Sequence, residues 1–221
     1  MSETDDGPLA RIISALIKEK GATTFADFME QALYHPDFGY YRAGRKVWGE
    51  AGDYVTNADA GPVFTKLVAK QVFEMWTVLS CPADFTLVEA GGGRGLILKG
   101  ILVSLKEFYP ALYDVVRAVM VERSDRHSFS GLDDKQVHWY NDLKSVGTIN
   151  CGVIFTNELL DALPFHRVVG DSGGLKELYV GIVGSHGGSG GFTDIIVEPS
   201  TTALNDYFTS LDIELAEAQV G

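Results

Sequence analysis

The stretch Glu89-Ala90-Gly91-Gly92-Gly93-Arg94-Gly95 constrains this chain more than any other. It closes an apolar run, Thr86-Leu87-Val88-Glu89-Ala90, that reads as a buried strand. It precedes a helical pattern, Ile97, Leu98, Ile101, Leu102 and Leu105, that ends near Pro110. Glycines at such a junction permit a tight turn and let the backbone approach a ligand at the helix N-terminus. Val115 to Glu122 reads as a second strand, Val137-His138-Trp139-Tyr140 as a short third and Gly152-Val153-Ile154-Phe155-Thr156 as a fourth. Strand, helix, strand, strand predicts an α/β sheet with parallel strands.

Two helices precede this core. Leu9, Ile12, Ile13, Leu16 and Ile17 form one apolar stripe, closed by Gly21. A second helix starts at Thr24, with Asp27 completing a capping-box variant and Phe25, Phe28, Met29 and Leu33 facing inward, and His35-Pro36 stops it. Residues 36–60 read as a long loop rich in Gly, Tyr and charge, and a loop of that length in a folded domain points to function. Trp48, Tyr54, Tyr40 and Tyr41 either form a lid over a ligand or anchor that loop. A third helix carries Pro62 in its first turn and the pattern Phe64, Leu67, Val68, Gln71, Val72, Met75, Leu79. Beyond Pro164 the texture changes, with nine glycines between Gly170 and Gly191. Residues 165–169, 178–183 and 194–197 read as an antiparallel ribbon joined by glycine turns, and Ser200 as the cap of a last helix.

Charge and composition exclude several classes. Lys and Arg number 18 against 30 Asp and Glu, a net charge of −12, so a polyanion such as nucleic acid is not an expected ligand. Six acids and no Lys or Arg lie between Thr193 and Gly221. No apolar run reaches the ~18 residues of a membrane span. Two cysteines, Cys81 and Cys151, exclude a four-cysteine zinc site, and the five histidines lack metal-binding spacing.

The turn can be read chemically. The dinucleotide fingerprint needs a glycine three residues after Gly93, where Leu96 stands, which argues against NAD. An acid-x-Gly-x-Gly-x-Gly turn suits S-adenosylmethionine (SAM) better, since a carboxylate such as Glu89 can engage the ligand's amino group. The bland alternative is a glycine turn without a ligand. Glu122, at the end of the second strand, stands where an acid accepts hydrogen bonds from ribose hydroxyls, or it is a surface acid paired with Arg123. Asp142 either accepts the adenine amino group or caps a turn. Asn157 and Glu158 follow the fourth strand, at the end of a parallel sheet where reacting groups sit. A carboxylate there would orient a guanidinium substrate through charge-assisted bonds, or Glu158 is a solvated acid without that role. Asp161 reads as a helix cap.

Several segments occur together in order: Phe28-Met29-Glu30-Gln31-Ala32-Leu33-Tyr34-His35-Pro36, Phe38-Gly39-Tyr40-Tyr41, Gly52-Asp53-Tyr54-Val55-Thr56, the glycine turn, Val121-Glu122-Arg123-Ser124 and Asn157-Glu158-Leu159-Leu160-Asp161-Ala162-Leu163-Pro164. In this the chain resembles the MidA family of SAM-dependent methyltransferases, whose mitochondrial members are protein arginine methyltransferases assisting respiratory complex I assembly. The resemblance runs from about Ile12 to the end and implies SAM as cofactor, with S-adenosylhomocysteine as product. It implies that Gly91, Gly93 and Gly95 line SAM, Glu122 holds its ribose, Gly52 and Asp53 fold over it, and Asn157 and Glu158 face methyl transfer. Thr56-Asn57-Ala58-Asp59 departs from the family's Thr-Ser-Pro-Glu, and Ser124-Asp125-Arg126-His127 from its Ser-Pro and regular helix.

The expectation is a doubly wound, Rossmann-like SAM-dependent methyltransferase sheet of the α/β class, with N-terminal helices and a β-ribbon insertion, the sheet incomplete in this chain. Its expected parts are a helical segment and cofactor-covering loop over 1–80, a SAM-binding core over 81–164, and the ribbon with a final helix over 165–221. The expected partner is a protein substrate, such as a complex I subunit. The expected location is the mitochondrial matrix in a eukaryote and the cytoplasm in a bacterium. The alternative is an assembly factor that binds SAM or a partner without turnover.

Overall fold

The computed structural model describes residues 7–42, 47, 52–53, 61–123, 137–183, 191–213 and 215. In chain order the elements are α1 (Pro8–Lys20), β1 (Thr23–Thr24), α2 (Phe25–Tyr34), α3 (Pro62–Val78), β2 (Phe85–Ala90), α4 (Leu96–Phe108), α5 (Pro110–Val115), β3 (Val116–Val121), β4 (Val137–Tyr140), β5 (Gly152–Thr156), β6 (Val168–Asp171), β7 (Gly174–Ile182), β8 (Phe192–Val197) and α6 (Thr202–Ser210). They group into two compact units, Met1–Ala43 with Leu163–Gly221, and Gly44–Ala162. The expected parts divide the chain differently. α3 packs on α4 in the second unit, whereas α1 and α2 share the first unit with the ribbon.

The Gly44–Ala162 unit is the α/β core. Its sheet runs β4-β3-β2-β5, all parallel, with β2 central. Every residue of β2 is buried, as expected of a strand inside a parallel sheet. One sheet face meets α3, α4 and α5 through Ala69, Val72, Trp76, Ile97, Leu98, Ile101, Leu102, Leu105 and Leu112. α3 and α4 approach closely because Gly100 has no side chain: a Cβ there would lie 2.7 Å from the Thr65 hydroxyl. Trp76 Nε1 donates to the Pro82 carbonyl at 2.9 Å, pinning the chain's return toward β2. The other face is closed by Val146, Tyr140, Ile149 and Leu159 over Val88, Ala90, Val119 and Val121. α5 was not expected: Pro110, read as a stop, occupies the first helical turn and starts a new helix. Val115, expected in a strand, is its last residue.

In the other unit the ribbon is antiparallel. β7 pairs β8 along one edge, while β6 and then β1 pair its other edge. β6 lies at 168–171, displaced from the expected 165–169. The β6–β7 turn is tight, with Asp171 opposite Gly174. α1 and α2 cover the ribbon through Ile13, Ile17, Phe25 and Phe28 against Val180 and Ile182. Thr24 caps α2, accepting the Asp27 N–H at 3.0 Å and donating its hydroxyl to the Asp27 carboxylate at 2.8 Å. The cap of α6 is Thr201, which accepts the Ala203 N–H, in place of Ser200. Among the described residues, no helix is long and apolar enough to cross a membrane, and no three His, Cys, Asp or Glu side chains gather as a metal site.

Candidate cofactor site

β2 hands directly into the glycine turn. Gly91, Gly93 and Gly95 have φ of 73°, 53° and 70°, left-handed values that cost a side-chain-bearing residue about 1–2 kcal/mol. Gly95 is the N-cap of α4. The turn is fastened at both ends: the Gly91 N–H donates to the Val121 carbonyl at 2.8 Å, and the Gly95 N–H to the Gly92 carbonyl at 2.8 Å. Gly92 carries a different constraint. A Cβ there would stand 2.3 Å from Met120 Sδ and 2.9 Å from Glu89 Cδ. The spacing template assigned Gly92 no role; only its place inside an unbroken run of three glycines, Gly91-Gly92-Gly93, hinted at one.

Two carboxylates hold this turn. Glu122 follows β3, its N–H donating to the Tyr140 carbonyl at 2.9 Å, and its Oε2 accepts the Gly93 N–H at 2.8 Å. The acid expected at a ligand's ribose is thus already at the turn. Glu89 is 1% exposed, and its Oε2 accepts the Leu98 N–H at 3.0 Å, one of the donors left open at the start of α4. Burial pushes its carboxyl up to about 8; the Leu98 bond opposes that, and the nearby Glu122 charge adds to it. Glu89 was expected to engage a ligand's amino group directly. The structure buries it behind Gly92, where it braces the turn.

Asp142 is engaged elsewhere. Its Oδ1 accepts the Ser145 N–H at 2.8 Å and the Ser145 hydroxyl bonds both carboxylate oxygens, so it fastens the start of the 3-10 segment Lys144–Val146. The Ser145 N–H and hydroxyl hold its carboxyl below the usual range. Asn157 is half-buried and Glu158 exposed, the latter with φ of 53°. Such a value is uncommon for a residue with a Cβ and recurs where function fixes the backbone. Leu159 then folds back on the turn: a Cβ on Gly91 would lie 2.5 Å from Leu159 Cδ1. This contact brings the Asn157-Glu158-Leu159 segment beside Gly91, although Leu159 lies 68 positions further along the chain. Sequence reading passed over Leu159, whose place in an apolar Leu159-Leu160 pair was its only signal. Asp161 lies in the short 3-10 turn Leu160–Ala162. Gly52 is half-buried and Asp53 exposed. Trp48, Tyr54, residues 56–59 and Ser124 to His127 lie outside the described residues.

The arrangement combines a left-handed glycine turn at a helix N-terminus, an acid at the neighbouring strand end and an exposed acid beyond the next strand. A ligand with a ribose diol and a net positive tail matches those two carboxylate acceptors. The family described as "Putative S-adenosyl-L-methionine-dependent methyltransferase" matches residues 67–220, a span that includes the turn, Glu122 and Glu158. The Drosophila melanogaster protein arginine methyltransferase NDUFAF7 homolog, mitochondrial, is 25% identical over 233 residues, covering 95% of this chain and 53% of its own length. The Homo sapiens protein arginine methyltransferase NDUFAF7, mitochondrial, is 27% identical over 201 residues, covering 79% and 45%. A Burkholderia thailandensis protein crystallised with S-adenosyl-homocysteine shares the fold, with a TM-score of 0.70 at 24% identity over 97% of this chain and 58% of that one. The chain spans about half the length of the curated relatives it matches. With the α/β core, the glycine turn and the family match falling on the same residues, the chain belongs to the MidA-like family of S-adenosyl-L-methionine-dependent methyltransferases.

Proposed function

We propose that this chain binds SAM at Gly91, Gly93 and Gly95 and acts in methyl transfer to an arginine side chain of a protein. The observation that carries the reading is the bond from the Gly93 N–H to Glu122, which joins the glycine turn and the β3 acid in one site. Glu122 presents its carboxylate to the ribose hydroxyls. Glu89 holds the turn's shape from beneath. Asp142 reaches the adenine amino group only by sharing or leaving its Ser145 bonds, and Gly52 with Asp53 covers the cofactor. SAM, when bound, supplies a methyl group on a positively charged sulfur.

Glu158 and Asn157 act on the substrate side. A guanidinium stays protonated at physiological pH, so the site must hold a cation and turn one nitrogen toward the methyl group. A carboxylate does this by charge-assisted bonds, and the fixed left-handed backbone at Glu158 aims it. The work is alignment and charge placement, with no covalent intermediate on the protein. The names of the NDUFAF7 relatives support the arginine substrate, and with it a mitochondrial location if the source is eukaryotic. A complex I subunit as the protein substrate, and the cytoplasm if the source is bacterial, complete the proposal.

The test is incubation with methyl-labelled SAM and an arginine-bearing protein extract, followed by mass spectrometry. Label on arginine supports the reading. SAM binding without transfer favours the second one, an assembly factor without turnover.

A further inference from the structure

The two carboxylates of the glycine turn differ in how they can respond to a ligand. Glu122 is half-buried and accepts the Gly93 N–H, whereas Glu89 is sealed beneath Gly92 with one N–H bond from Leu98. Met120 and Gly92 close over Glu89, and both are uncharged. The charged group that acts on Glu89 is Glu122, from the end of β3. The cations nearest along the chain are Arg94 on the turn and Lys99 on α4, and the α3 side chain nearest Gly100 is the uncharged Thr65. A buried acid beside a second acid gives up its negative charge most readily, and a cation arriving at the turn restores it.

From this geometry we infer that binding of the cationic cofactor is coupled to loss of one proton from Glu89 to solvent, so that Glu89 and Glu122 together meet the ligand's positive charge and favour the sulfonium form over the thioether product. The inference rests on the SAM reading above. A carboxyl pushed up to about 8 is mostly protonated at pH 7 and holds a proton to release. When the methyl group leaves, the ligand loses its sulfonium charge, Glu89 takes a proton back from solvent, and the product is held less tightly. Glu89 is therefore a positioning residue that also senses charge through the turn, without touching the ligand.

The experiment is titration calorimetry of the intact chain with SAM and with S-adenosylhomocysteine at pH 7, in two buffers of different ionisation enthalpy. Both ligands carry the same α-ammonium, so the difference between them isolates the sulfonium. SAM should release close to one proton, the product distinctly less, and SAM affinity should rise up to about tenfold per pH unit from 6 to 8 and then level off. Glu89→Gln keeps an oxygen for the Leu98 N–H; it should bind SAM with the excess proton release gone and the pH slope flattened. Equal release with both ligands, or an excess that persists in Glu89→Gln, overturns the inference while leaving the SAM reading standing. If Glu89→Gln does not fold, the pH slope and the two-ligand comparison on the unmutated chain decide alone. Absence of binding by either ligand overturns the SAM reading and this inference with it.

Discussion

The Glu122 carboxylate accepts the Gly93 N–H at 2.8 Å across 29 residues of chain. This bond ties the glycine turn to the end of the neighbouring strand, so in the proposed site both groups would meet SAM already in place. Glu122→Ala should weaken SAM by about 1.5–3 kcal/mol, the range for a hydrogen bond to a charged group. Glu122→Gln keeps an acceptor for Gly93 and should lose less. Unchanged affinity in the alanine variant would make Glu122 a brace for the turn only.

Gly92 should be the least replaceable glycine of the turn on packing grounds. Gly92→Ala drives a methyl group into Met120 Sδ and should cost about 1–3 kcal/mol of stability in denaturant unfolding. In a Met120→Ala background the same change should cost less, because the colliding sulfur is gone. Equal costs in the two backgrounds would show that the contact with Met120 does not set the constraint.

In the proposed reaction Glu158 acts on the substrate. Glu158→Gln preserves shape and removes charge, so SAM affinity should hold while methyl transfer to arginine falls by about 10- to 100-fold, the loss expected for one charge-assisted bond. Single-turnover rates at saturating SAM read this directly. A parallel fall in SAM affinity would move Glu158 to the cofactor side.

Glu177 provides a pH prediction away from the turn. It is fully buried on β7, where Oε1 meets His166 Nδ1 at 2.6 Å and Oε2 accepts the Ser200 N–H at 2.7 Å. Burial alone would raise its carboxyl, but the Ser200 N–H and the His166 ring outweigh that and hold it below the usual range. A lowered folded-state value means stability that is present above the ordinary carboxylate range and lost as pH falls through the lowered one. Acid unfolding should show this loss, and His166→Ala should cost about 1.5–3 kcal/mol near neutral pH by stranding the buried charge. An unaltered unfolding midpoint in His166→Ala would contradict the pairing.

The sequence carried the core because its signals were local. β2, α4 and the turn between them follow from an apolar run, three spaced glycines and a helical period, and β4 and β5 from short apolar stretches. What escaped it was tertiary. β1 is two residues long and exists only because β7 offers an edge. Pro110 breaks and starts a helix equally well, and only the following turn shows which. Glu89, Gly92 and Leu159 take their roles from Leu98, Met120 and Gly91, contacts that no periodicity encodes. Asp142 had two readings of equal standing, and in the structure the nearby Ser145 engages it as a turn residue.

The most direct test of the account is calorimetric titration of SAM into this chain and into Gly93→Val. The chain should bind SAM saturably at one site. Gly93→Val, forced into a left-handed backbone with φ of 53° and carrying a branched side chain at the ligand's approach, should lose that binding while circular dichroism still shows the α/β fold. Retained SAM affinity in a folded Gly93→Val protein, or no SAM binding by the folded unmutated chain, would contradict the placement of the cofactor on the glycine turn.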